Sequence, residues 1–189
     1  LKMFLGFVFM FSFFVLIPNY SNAGWTEQTG AGSHYWCSFA SDSTGSKLVA
    51  ADCNQSGGGY VYTSSNGGIS WTNNNNSLGL KNWSSTTSDF TGQYLAAVVR
   101  GGYIYTSNDY GVTWVQKTSD ATRSWSSITS DSTGQYLAAV ASGGYIYTSN
   151  DYGATWVQKT SDAHEWNSIA SSANGQILVA LGYDQGDPG

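Results

Sequence analysis

The stretch YIYTSNDYGATW, residues 145–156, repeats almost letter for letter as YIYTSNDYGVTW at 103–114 and loosely as YVYTSSNGGISW at 60–71. Each copy opens on an alternating Tyr-x-Tyr-Thr-Ser run, whose period of two suits a half-buried strand. Asn, Asp and Gly follow, the residues that turn a chain back on itself. A second short run ends the copy, giving two antiparallel strands and their turn. Chemistry is usually confined to one place in a chain, whereas scaffold recurs. This stretch recurs, and is read as scaffold.

Outward from it, the repeat widens. Trp36, Trp83, Trp125 and Trp166 open similar units at spacings of 47, 42 and 41 residues. Between 83–121 and 125–163 only five of thirty-nine positions differ: Thr86/Ile128, Phe90/Ser132, Val99/Ala141, Arg100/Ser142 and Val112/Ala154. A period in the low forties in a β sequence predicts propeller blades. One unit reads as four strands: WSSITS; YLAAVA, after the turn DSTGQ; YIYTS, after a break at Gly-Gly; and ATWVQKT on the outside. The second strand is apolar on both faces, as a strand sandwiched between neighbouring blades must be. A single blade cannot bury both faces, so the units stack.

Composition agrees with an all-β chain. Of 189 residues, 15% are aromatic and only 10% charged, and aromatic residues favour strands over helices. Lys2, the apolar run at 3–17 and the small-residue end at 21–23 have the order of a secretory signal, with cleavage expected after Ala23. An uncleaved anchor is the rival; the run is short of the roughly 20 residues a spanning helix needs. Residues 24–189 are then the blades, exported to the medium or the cell surface without stable membrane insertion. Export permits a disulfide, and Cys37 and Cys53, the chain's two cysteines, fall on adjacent strands of one unit. Two cysteines with no partner residues nearby do not make a zinc site, and neither a metal nor a cofactor is expected.

The turns carry a family resemblance. Ser107-x-Asp109-x-Gly111-x-Thr113-Trp114 and Ser149-x-Asp151-x-Gly153-x-Thr155-Trp156 resemble Asp boxes, the turn motif of the sialidase-type (BNR-repeat) β-propellers; the first unit departs from it, with Asn66 in the acidic position. The likeness covers nearly all of the chain after the signal, and implies fold more firmly than function, because it spans glycosidases, receptor ectodomains, assembly factors and binding proteins. Physically, the Asp carboxylate accepts backbone N–H bonds across the turn. Gly111 and Gly153 supply a positive φ, and Trp114 and Trp156 fill the wedge between blades.

A sialidase by that resemblance would carry an arginine triad, and the chain holds only Arg100 and Arg123. No catalytic residue is singled out. Most acids recur in step with the repeat; Glu27, Asp52, Glu165, Asp184 and Asp187 do not, yet no spacing among them marks a catalytic carboxylate pair.

One recurring position exceeds what packing asks for. His34, Lys81, Arg123 and His164 each stand two residues before a unit-opening tryptophan, in a chain with 7 Lys or Arg and 2 His. In a propeller this position falls in the link between blades, on the face that also carries Arg100 and opposite the Asp boxes. The five residues are expected to form an arc at the mouth of the central channel, a receptor for anions on an acidic protein. The bland alternative is exposed pairing with Asp120 and Asp162. Nucleic acid is a poor partner for an acidic, exported chain.

The expected architecture is a fourth strand at 24–28, three full blades, and two strands of a further blade that lacks its third, GYDQGDPG having no Tyr-x-Tyr-Thr-Ser. A piece of a larger ring fits this better than a closed four-bladed one, and the start at Leu1 rather than Met agrees. The expected function is non-enzymatic binding of an acidic polysaccharide or glycoprotein. A glycoside hydrolase fragment with catalytic residues partly elsewhere, and a structural surface repeat, are the alternatives.

Overall fold

The computed structural model describes residues 13–17, 24–54, 56–74, 78–118 and 120–183. Three four-stranded antiparallel blades stand side by side. The first is β3 (Trp36–Ser41), β4 (Leu48–Asp52), β5 (Val61–Ser64) and β6 (Thr72–Asn73). The second is β7 (Trp83–Ser88), β8 (Leu95–Gly102), β9 (Ile104–Ser107) and β10 (Val115–Gln116). The third is β11 (Arg123–Ser130), β12 (Leu137–Gly144), β13 (Ile146–Ser149) and β14 (Val157–Gln158). A two-stranded half blade follows, β15 (His164–Ser171) with β16 (Leu178–Tyr183). The all-β, propeller-like array is as the repeat predicts.

The seams between blades form the core. Val49, Ala51 and Val61 of the first blade pack on Trp83, Ala97, Tyr105 and Trp114 of the second. Ala96, Val98 and Ile104 of the second meet Trp125, Ala139 and Tyr147 of the third in the same way. Alternate residues of each second strand thus face opposite seams, which is why Leu-Ala-Ala-Val is buried on both sides. The tryptophans dominate these seams; truncating one to alanine would cost about 3–5 kcal/mol.

Polar stitches run from blade to blade. The first-turn amide of Ser43 donates to the carbonyl of Phe90 at 3.0 Å, Phe90 to Ser132 at 2.9 Å, and Ser132 to Ala173 at 2.8 Å. Along the inner strands, the hydroxyl of Ser84 donates to the Trp125 carbonyl and that of Ser126 to the Trp166 carbonyl, both at 2.7 Å. Cys37 holds the matching position in the first blade and forms the expected disulfide with Cys53, the residue after β4, with Cα atoms 5.8 Å apart.

Three local expectations are corrected. Gly-Gly does not break the second strand, because Gly102 and Gly144 extend it to pair forward with Arg123 and His164 of the following blade. The outer strands are two residues long and not seven; beyond Gln116 and Gln158 the side chains of Thr118 and Thr160 take over, bonding the amides of Ile104 and Ile146. Gly24–Gln28, β2, is a strand, but it pairs with β1 (Phe13–Ile17) in a separate two-stranded sheet and not with a blade. Apart from β1, the signal segment assigned to 1–23 lies outside the described residues.

Candidate binding site

The Ser-x-Asp-x-Gly-x-Thr-Trp turns come first, because they fix the strands beneath every other group. In the second blade Asp109 Oδ1 accepts the Thr113 amide at 2.8 Å, and Oδ2 the Thr113 hydroxyl at 2.6 Å. Ser107 Oγ accepts the Gly111 amide at 2.9 Å, and the Trp114 indole N–H returns to the Gly111 carbonyl at 3.0 Å. Asp151 and Trp156 repeat these bonds in the third blade. Asn66 keeps the backbone bond, with its Oδ1 accepting the Ser70 amide at 2.9 Å, and its Nδ2 donates to Ser70 Oγ. The Thr155 hydroxyl and amide hold the Asp151 carboxyl below the usual carboxylate range. At Asp109, partial burial works the other way, but the bonds from Thr113 and Ser107 outweigh it and the carboxyl is again lowered. Every donor these carboxylates meet belongs to their own turn.

The residue before each turn glycine is left-handed. It is Gly67 in the first blade but Tyr110 and Tyr152 in the others, at φ 62° and 59°, where a β-carbon is strained by about 1–2 kcal/mol. The tyrosines use that geometry to reach back one blade. Lys47 Nζ lies 3.7 Å from the Tyr110 ring centre, and Tyr94 stacks on Tyr152 at 4.5 Å.

The four basic positions stand on the opposite side, one per blade, each against aromatic rings. His34 Nδ1 lies 3.1 Å from Asp52 Oδ2 and Nε2 lies 3.3 Å from the Tyr62 hydroxyl. A carboxylate only accepts, so Nδ1 carries the proton. Burial and the Asp52 carboxylate push the Tyr62 phenol up. Lys81 Nζ sits 5.3 Å from the Tyr105 ring centre. The Arg123 guanidinium lies over Tyr147 at 4.7 Å, donates Nε to its hydroxyl at 2.9 Å, and forks onto Asp120 at 2.5 and 3.2 Å. That fork, more than any other contact, holds the Asp120 carboxyl down and the Arg123 guanidinium up. The His164 ring meets Trp166 edge-on at 5.1 Å. In the third and half blades the basic residue opens the first strand and pairs with Gly102 or Gly144, and so lies in the sheet and not in a free link.

Sequence reasoning missed the tyrosine rings beside Lys81 and Arg123. The signal was there in the constant offset of 24 residues from Lys81 to Tyr105 and from Arg123 to Tyr147. The Asp120 partner is the one named by the bland alternative.

Arg100 is placed differently. It is exposed, pairs through its backbone with Ser124, and lines a cavity of about 310 Å³ with Ser124, Ser126, Ser142, Asn167 and Tyr183. Glu165 and Trp166 complete the wall, Glu165 accepting the Ser142 hydroxyl at 2.5 Å. Arg123 lines a separate cavity of about 210 Å³ with Lys117, Asp120 and Tyr147. The structure therefore brings Arg100 together with hydroxyls and Arg123 with Lys117, the residue just beyond β10. No group of three or more His, Cys, Asp or Glu among the described residues could hold a metal ion.

No protein-family model matches the chain, and neither does any curated protein sequence. Solved structures do match. An ancestral GH74 enzyme is 19% identical over 79% of this chain and 22% of its own, with a TM-score of 0.62. YCF48 bound to a D1 peptide is 18% identical over 82% of this chain and 52% of its own, at 0.60. A nidogen/laminin complex matches at 14% identity over 89% of this chain and 68% of the matched one, at 0.62. All are β-propeller proteins, and the likeness shows that fold. The chain spans about half of the YCF48 chain and under a quarter of the GH74 enzyme.

Proposed function

We propose that this chain is an exported Asp-box propeller module that binds, without transforming, an acidic polysaccharide or the acidic glycan of a glycoprotein. The observation that carries it is Arg100. It is one of the five positions at which the second and third units differ, and so departs from scaffold in the way a ligand contact should. Its cavity supplies an exposed guanidinium, serine hydroxyls, an amide and two aromatic rings, with the Glu165 carboxylate occupied by the Ser142 hydroxyl, a set that suits a carboxylated or sulfated sugar held by Arg100. The basic positions add field to this face while held on their own rings.

Binding is favoured over hydrolysis because seven of the ten described acids hold turns or basic side chains. Asp42, Asp89 and Asp131 accept first-turn donors, Asp109 and Asp151 hold outer turns, and Asp52 and Asp120 hold His34 and Arg123. The disulfide, and the finding that no helix among the described residues is long and apolar enough to cross a membrane, accord with export.

Calorimetric titration with a polyuronate, a sulfated glycan and a neutral glucan tests the proposal. Saturable binding of an acidic chain is expected, weakening as salt shortens the screening length to about 10 Å and below. Arg100→Ser, which restores the third unit's residue, should weaken it at least tenfold; Lys159→Ala should leave it unchanged. Equal losses from both would reduce the effect to bulk charge, and hydrolysis of any of the three would refute the non-enzymatic reading.

A further inference from the structure

A crevice of about 610 Å³ opens where the first and second blades meet, beside their third-to-fourth strand turns. Clefts that hold small ligands span about 300–1,000 Å³. The seam between the second and third blades carries the corresponding crevice at only about 250 Å³. Three wall positions differ between the two. Lys47 stands where the second blade has Tyr94, Thr72 where it has Val115, and Asn74 where it has Lys117. In the second seam Tyr94 stacks on Tyr152 at 4.5 Å, and Val115 and Lys117 line the space that is left. In the first, a slender side chain replaces a ring, a hydroxyl replaces a methyl, and a short amide replaces a long ammonium. The second seam packs without these changes, so packing does not call for them.

The chemistry of the wider crevice is uncharged. Lys47 Nζ donates to the Thr91 carbonyl at 3.2 Å and lies 3.7 Å from the Tyr110 ring centre, so its charge is already engaged. Among the described residues no carboxylate lines the space. Thr63 Oγ1 accepts the Asn74 side-chain amide at 3.3 Å, which leaves the Thr63 hydroxyl proton to give outward. Ser65 and Thr72 add exposed hydroxyls. The buried Leu48 and Leu95 supply apolar wall, and Tyr110 is 46% exposed. An anion would meet one committed ammonium, and a purely apolar ligand would cover the hydroxyls without bonding them. A sugar ring, with apolar C–H faces and a rim of hydroxyls, matches both characters of the wall.

We propose that the crevice between the first and second blades is a binding site for a short run of uncharged sugar residues. The ligand exchanges hydrogen bonds with the hydroxyls of Thr63, Ser65 and Thr72, while its C–H surface meets the leucines and Tyr110. The site shares no residue with the Arg100 cavity and does not rest on the acidic-glycan reading.

Calorimetric titration of the full chain with cellotriose, laminaritriose and mannotriose is the experiment. Saturable one-to-one binding of at least one trisaccharide is expected, unchanged by added salt because the ligand carries no charge to screen. Lys47→Tyr installs the second seam's ring pair, and Thr72→Val its apolar wall. Each should weaken binding by about tenfold or more, with a melting temperature close to the parent's. Arg100→Ser should bind the trisaccharide as the parent does. Parent-like binding by either wall variant overturns the proposal. So does an equal loss in Arg100→Ser, which would move the sugar to the other cavity. Failure of all three trisaccharides to bind overturns it as well, and leaves the separate titration with acidic chains untouched.

Discussion

Tyr152 shows how a single residue can invert an ordinary ranking of substitutions. At φ 59° its β-carbon is strained, yet its ring stacks on Tyr94 of the preceding blade. Tyr152→Ala keeps the strain and loses the stack. Tyr152→Gly loses the stack but relieves the strain, following Gly67 in the first blade. Calorimetric melting should rank glycine above alanine by roughly 1 kcal/mol, the reverse of what a strand or helix interior would give. Asp151 belongs to the same turn, and Asp151→Ala should cost about 1–3 kcal/mol in stability. Asp151→Asn should cost less, since Asn66 shows an amide serving there. The acids also set a pH dependence. Carboxyls lowered on folding, as at Asp109 and Asp151, add stability that is present above the unfolded value near 3.9 and lost as pH falls through the lower folded value. The double variant Asp109→Asn/Asp151→Asn should therefore show a shallower fall in melting temperature below about pH 4 than the parent.

At the scale of elements, what the sequence disclosed was local and what it hid was not. Asp-Tyr-Gly and Asp-Ser-Thr-Gly declare their turns because the donors and acceptors lie within five residues. Gly101–Gly102 looked like a break because its partner, Arg123, lies in the next blade; strand length there is decided by a neighbour, not by propensity. The same limit hid Lys117, which shares a cavity with Arg123 although the repeat puts it on an outer strand. Of the candidate site, then, the sequence disclosed the basic positions and concealed the tyrosine rings beside two of them. The disulfide was legible, since Cys37 and Cys53 sit on one hairpin. It closes a loop with a sequence separation of 16, so Cys37→Ala/Cys53→Ala should lower stability by about 3 kcal/mol. Denaturant melts, with intact mass before and after alkylation to verify the bond in the parent, would measure it.

Across the whole molecule, each blade presents one face to the blade before and another to the blade after, and successive seams reuse many of the same contacts. The Ser43–Phe90–Ser132–Ala173 bonds are the clearest instance, since each turn donates forward to whichever turn comes next. Such a chain is modular in the hereditary sense. A gene that gains or loses one unit needs to invent no new contact, which fits the near identity of 83–121 and 125–163. Excising residues 83–124 should accordingly leave a shorter array that still melts cooperatively, with the Ser43 amide now meeting the Ser132 carbonyl. The splice even repairs a fault. Trp83 Nε1 reaches the Gly59 carbonyl at 3.1 Å, while Trp125 Nε1 is buried without a hydrogen-bond partner among the described residues. In the shortened chain Trp125 inherits the Gly59 carbonyl. Trp166 Nε1 is orphaned in the same way, so copying has left a visible scar at both later units: indoles that fit their neighbours less well than Trp83 fits its own.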